Sequence, residues 1–139
     1  MKQILLDTNI VLDLLARRMP FYNEAAELLS LADRKTISLS LSSLSLANTH
    51  YILTKYTTER EARTIIRNFK VLVQVLSFDD KITDLALNSD FKDFEDAIQY
   101  FTAIENDQEL IVTRNMSGYR KSKMPVMTAR EFIQSQTNP

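Results

Sequence analysis

The run Ile4-Leu5-Leu6-Asp7-Thr8-Asn9-Ile10-Val11-Leu12-Asp13 constrains the fold more than any other stretch, because an apolar strand ends in a carboxylate and passes directly into a helix. Open parallel sheets collect their ligands outside the carboxyl ends of the strands. A carboxylate delivered there is costly to bury unless a cation or hydrogen-bond donors compensate it. Helix capping also accounts for an Asp at a helix start, so the role of Asp7 depends on what the rest of the chain brings to the same edge.

Short apolar runs of strand character recur at residues 3–6, 36–41, 71–76 and 109–112, with a weaker one at 125–127. Helical patterns lie between them: Ala25, Ala26, Leu28, Leu29 and Leu31 mark one, and Leu44, Ala47, Tyr51 and Ile52 another, each at three-to-four residue spacing. Thr58-Glu59-Arg60-Glu61 and Thr128-Ala129-Arg130-Glu131 read as capping boxes, which place helix starts after Thr58 and after Thr128. Parallel strands need crossover connections, and helices supply them. The expected fold is therefore α/β, a three-layer sandwich with a central parallel sheet of four to five strands flanked by helices, in one domain over residues 1–139.

Composition narrows the function. A formal charge of -1 gives no global nucleic-acid footprint, so any such contact must rest on a local basic group. Cysteine is absent, which removes disulfides and thiolate chemistry and fits a cytoplasmic protein. The opening strand follows only Met1, Lys2 and Gln3 and turns acidic at Asp7, which reads as neither a leader nor a membrane span. The single glycine, Gly118, sits in a polar loop with Ser117 and Tyr119, so a glycine-rich phosphate loop is excluded.

A second acidic site is Asp93-Phe94-Glu95-Asp96-Ala97-Ile98-Gln99-Tyr100, where Phe94, Ile98 and Phe101 give the apolar face of a helix and Asp93 and Asp96 share its first turn. A third is the strand end Leu110-Ile111-Val112-Thr113-Arg114-Asn115. With the first and fourth strands as neighbours, Asp7, Asp96 and Asn115 meet at one crevice and offer only oxygen ligands, a set suited to Mg²⁺ or Mn²⁺. The lone His50 has no second histidine to pair with and reads as a surface or packing residue.

Taken in order, these residues resemble the PIN-domain nucleases, which include the VapC-type toxins. The resemblance runs from Asp7-Thr8-Asn9 through Asp93-Phe94-Glu95-Asp96-Ala97 to Ile111-Val112-Thr113-Arg114-Asn115, and on to Pro125-Val126-Met127-Thr128 with Glu131-Phe132. It implies a divalent-metal-dependent ribonuclease, with Asp7 as the first metal-binding acid, Asp96 as the third and Asp93 beside them. Where many members carry further acids, this chain reads Asn48 and Asn115, as in a subgroup in which both amides recur. Asp13 and Glu95 read as solvated helix-face charges.

By the same resemblance, Asn48 and Asn115 orient the waters of the ion, and Thr8 or Asn9 fixes the Asp7 carboxylate. Arg114, Arg120, Lys121 and Lys123 reach RNA phosphates and Tyr119 stacks a base, although an ordinary solvated loop explains these cations equally well. An antitoxin protein over the cleft and a homodimer are also implied. A catalytically silent module of the same fold, binding RNA or protein, is the rival reading. An aspartyl-phosphate enzyme fits less well, since Asn9 stands where a second Asp is needed.

Overall fold

The structure is a computed structural model that describes residues 1–137. Five strands form one sheet: β1 (Lys2–Leu6), β2 (Ile37–Ser42), β3 (Gln74–Leu76), β4 (Leu110–Val112) and β5 (Val126–Met127). All neighbouring pairs are parallel and the order is β3-β2-β1-β4-β5. Among the described residues the helices are α1 (Thr8–Leu15), α2 (Tyr22–Asp33), α3 (Ser43–Leu53), α4 (Glu59–Phe69), α5 (Asp80–Leu87), α6 (Phe94–Glu105) and α7 (Ala129–Thr137).

β1 lies at the centre of the sheet, which is why Ile4, Leu5 and Leu6 are all apolar and buried. The pleat divides them between two faces. Ile4 and Leu6 join Leu110 and Val112 under α1, α2 and α7, in a core with Val11, Leu28, Leu39 and Phe132. Leu5 and Ile111 face the opposite way, toward Tyr100, Ala103 and Tyr119. From β1 the chain moves to β2 on one side, whereas β4 leads to β5 on the other. The ends of β1 and β4 therefore flank the point where the sheet reverses direction, the place where such folds open a crevice.

Both capping boxes start helices as expected. Thr58 Oγ1 accepts from Glu61 N at 3.1 Å. At α7 the box is reciprocal, with Thr128 Oγ1 accepting from Glu131 N at 3.1 Å and Glu131 Oε1 accepting from Thr128 N at 2.9 Å.

Several local expectations are corrected. The third strand begins only at Gln74, because residues 71 and 72 bond back to Asn68 and Phe69 in a turn that closes α4 and leaves Val71 exposed. Phe94 is 45% exposed instead of buried. It opens α6 on the solvent side, and Phe91 takes the inner place, 5.0 Å from the Tyr100 ring and 6.3 Å from that of Phe101. In α3 the buried line is Ser45, Thr49 and Leu53, with Tyr51 63% exposed, because this helix turns small hydroxyl residues toward the strand ends. Helix α5 has no counterpart among the sequence expectations.

Phe132 anchors α7 in the main core and is 2% exposed. Phe132→Ala is expected to lower the unfolding free energy by about 3–5 kcal/mol, read as a fall in the urea midpoint with the slope unchanged.

Candidate active site

Asp7 caps α1, and its two oxygens are held from two directions. Oδ1 accepts from Thr8 N at 2.7 Å and Oδ2 accepts from Thr113 Oγ1 at 2.8 Å. The register that sets Leu6 opposite Val112 puts Asp7 beside Thr113. Thr113 is in turn surrounded, since its Oγ1 also accepts from Asn115 N at 2.9 Å and from Asn9 Nδ2 at 3.4 Å. Asn9 thus reaches Asp7 through Thr113.

Asp96 enters from the first turn of α6, where Asp93 caps the helix by accepting from Asp96 N at 2.9 Å. Asn115 Nδ2 donates to Asp96 Oδ2 at 3.4 Å, and Asn115 Oδ1 accepts from Ser117 Oγ at 3.2 Å. Asp7, Thr8, Asn9, Glu95, Asp96, Gln99 and Asn115 line one open cleft of about 390 Å³. The expected meeting of Asp7, Asp96 and Asn115 at the edge of β1 and β4 is present.

Asn48 is not among the residues lining that cleft. From α3 the buried Ser45 bonds two residues that do line it: its Oγ shares a hydrogen bond with Thr8 Oγ1 at 2.7 Å and accepts from Gln99 Nε2 at 2.5 Å. Helix α3 starts immediately after Ser42, so its third residue meets the strand ends while Asn48 lies roughly 4.5 Å farther along the axis.

Two other expectations are corrected by burial. Tyr119 is 3% exposed, held in the aromatic cluster by Phe91, and cannot stack a base. Its hydroxyl makes no hydrogen bond of good geometry, yet lies close enough to Asp7 and Asp96 to lower both as a donor does. Asp13 is 0% exposed rather than solvated, and both Arg18 and Arg114 are turned onto it. Glu95 is exposed at the cleft rim, as a helix-face charge should be. Arg120 and Lys121 line a separate hollow with Lys92, Asp90 and Ser117, and Lys123 is exposed.

Burial pushes the Asp7 carboxyl above its ordinary value, and the donors from Thr113 and Thr8 offset this only in part. Burial, then the charge of Asp7, then those of Asp93 and Glu95, push Asp96 up to about 7. The Tyr119 phenol is raised by burial and by the same two carboxylates, so it stays protonated. Two carboxylates thus share a partly desolvated cleft, with the Tyr119 phenol buried close to both and Gln99 Oε1 without a hydrogen-bond partner among the described residues. A hard divalent cation answers that surplus of negative charge and oxygen donors. Among the described residues no third His, Cys, Asp or Glu completes a conventional three-ligand cluster.

Gly118 shapes the same cleft by having no side chain. A Cβ there would lie 2.6 Å from Asn115 Nδ2 and closer still to Asp96 Oδ2.

The profile of the PIN domain family matches residues 3–117. The chain belongs to the PIN domain family. Over 138 residues it is 22% identical to Ribonuclease VapC1 of Aquifex aeolicus, covering 96% of this chain and 94% of that protein. Its fold is similar to that of a chain in a toxin-antitoxin complex from Klebsiella pneumoniae, at 23% identity and a TM-score of 0.67, over 91% of this chain and 97% of that one. VapBC2 from Rickettsia felis, solved with a fragment of its promoter DNA, is similar at 19% identity and a TM-score of 0.64, over 89% and 96% of the two chains. In this PIN domain the parallel sheet and the cleft beside β1 follow from the order of its strands, while Ser45, Gln99, Thr113 and Gly118 are site residues that the acidic motifs alone do not reveal.

Two predictions follow from this geometry. Asp96 binds its proton more tightly folded than unfolded, so its contribution to stability is complete below 3.8 and is lost as pH rises through about 7. Asp96→Asn is therefore expected to raise the melting temperature of the metal-free protein at pH 8 by on the order of 3 °C and to give no gain at pH 4. Gly118→Ala displaces side-chain ends rather than backbone, so the fold persists while Mn²⁺ affinity falls roughly tenfold in a calorimetric titration.

Proposed function

We propose that this PIN domain is a divalent-metal-dependent ribonuclease acting in the cytoplasm as the toxin of a toxin-antitoxin pair. The observation that carries the reading is the pair Asp7 and Asp96, two carboxylates raised by burial, Asp96 further by the charge of Asp7, on the edge where a parallel sheet binds its ligands. Membership of the family and the likeness to a protein named as a ribonuclease support it. The toxin-antitoxin assemblies among the structural relatives support an antitoxin partner, and a homodimer belongs to the same proposal.

In this reading Asp7 and Asp96 hold Mg²⁺ or Mn²⁺. When bound, such an ion supplies Lewis acidity that activates water and offsets charge on the phosphodiester. Thr113 and the Thr8 N–H fix the direction of the Asp7 oxygens, so the carboxylate does not swing when substrate arrives. Asn115 orients water and steadies Asp96, Ser45 takes the place on α3 that the sequence assigns to Asn48, and Asp93 acts through its cap on α6. Tyr119 supplies a protonated hydroxyl beside both acids. Arg120, Lys121 and Lys123 remain available to RNA phosphates outside the cleft.

A silent RNA- or protein-binding module is the second reading, favoured by the lack of a third acidic, histidine or cysteine ligand among the described residues. Cleavage of a structured RNA pool separates the two. The nuclease reading expects Mn²⁺-dependent cleavage that a chelator abolishes and that Asp7→Asn lowers by on the order of 100-fold. Cleavage indifferent to both changes, or none under Mn²⁺ with the folded wild type, favours the silent module.

A further inference from the structure

Asp13 is the one carboxylate near the cleft that is overcompensated. Arg114 donates to it twice, from Nε to Oδ2 at 2.7 Å and from Nη2 to Oδ1 at 3.1 Å, and Arg18 Nε donates to Oδ1 at 3.1 Å. Two guanidinium groups on one carboxylate leave one positive charge in surplus. Both arginines line the cleft that holds Asp7 and Asp96, and their side chains keep 34% and 33% of their surface exposed. Among the described residues Nη1 of neither arginine has a hydrogen-bond partner, while Arg18 Nη2 donates to the Asn9 carbonyl at 3.2 Å.

The local backbone is arranged for this. Arg17 adopts a left-handed φ of 52°, and the turn it makes lets Arg18 N donate to Asp13 O at 3.0 Å and brings the Arg18 side chain back over α1. On the other side the Phe21 ring lies 3.9 Å from the Arg114 guanidinium carbon, and Arg114 N donates to Asn9 Oδ1 at 3.2 Å. Asn9 therefore ties both arginines to the segment that carries Asp7. Burying a carboxylate costs desolvation that a packed apolar residue avoids, and what the burial secures here is the position of two partly exposed arginine side chains.

We propose that Asp13 is a positioning residue that sets Arg18 and Arg114 as a paired clamp for an RNA phosphate at the rim of the metal cleft. The inference rests on the ribonuclease reading for its substrate. Guanidinium groups with free terminal nitrogens bind phosphate in a fixed geometry that lysine does not reproduce. The clamp therefore adds a phosphate contact that is pre-oriented relative to Asp7 and Asp96.

The test is fluorescence anisotropy of a labelled single-stranded RNA 20-mer pool without divalent ions, across a series of KCl concentrations, beside the cleavage assay. Removing a negative charge by Asp13→Asn strengthens RNA binding if only net charge matters, whereas the clamp expects binding roughly tenfold weaker, because the arginines lose their anchor. Arg114→Gln, which leaves Asp13 paired with Arg18, is expected to weaken binding and to reduce the slope of log affinity against log salt by about one. Arg114→Lys keeps most of that slope but not the affinity. Melting curves establish that each variant is folded. Asp13→Asn binding as tightly as wild type or tighter, or Arg114→Gln leaving affinity and slope unchanged, overturns the clamp; if the wild type still cleaves RNA, the nuclease reading stands. Losses of the expected size with no cleavage by the wild type support the clamp and overturn the nuclease reading instead.

Discussion

The structure depends on a carboxylate buried at the end of the central strand. Asp7 is 6% exposed, and its two hydrogen bonds come from Thr8 N and Thr113 Oγ1, with the Tyr119 hydroxyl close by. Those donors do not cancel the cost of burial, since the group is still raised above its ordinary value. The sheet order places β4 beside β1, so Thr113 and Asn115 arrive at the same point, and α6 adds Asp96 where its charge opposes that of Asp7. The fold thus concentrates negative charge and oxygen donors at one edge, a composition that suits a hard divalent cation.

Next to this undercompensated pair stands the opposite arrangement. Asp13, farther along α1 from the cap, is satisfied by two arginines with charge to spare. The pairs are joined through Asn9, which touches Thr113 on one side and the arginine pair on the other. One short helix holds the acid pair and the arginine pair side by side, and neither depends on the net charge of the whole protein, which is -1. Gly118 completes the enclosure, because its missing side chain leaves room for Asp96 and Asn115.

Much of this was legible in the sequence. The strand-to-helix run at Asp7, the two Thr boxes and the alternation of elements lead to a parallel sheet covered on both sides, because each depends on short-range spacing. Residues whose environment depends on pairing were harder to place. Thr113 becomes a partner of Asp7 only once β1 and β4 are in register, and Ser45 meets Thr8 only once the start of α3 is fixed to the residue. Gln99 was within reach, since it follows Asp96 by one helical step. Asp13 and Tyr119 were misplaced for a common reason: a charged residue on a helix or a phenol in a polar loop reads as solvated until the partner that permits its burial is seen, here the two arginines and the aromatic cluster.

The most direct test of the account is a pH titration of the Asp96 carboxyl carbon by NMR, with and without Mg²⁺. An uncompensated carboxylate pair that awaits a cation should titrate in the metal-free protein with Asp96 near the value of about 7 that burial and Asp7 impose, and should shift to lower pH by roughly two units or more when Mg²⁺ is added. A carboxyl that titrates in the ordinary range and is unmoved by Mg²⁺ would contradict the claim that the cleft is built around a metal ion.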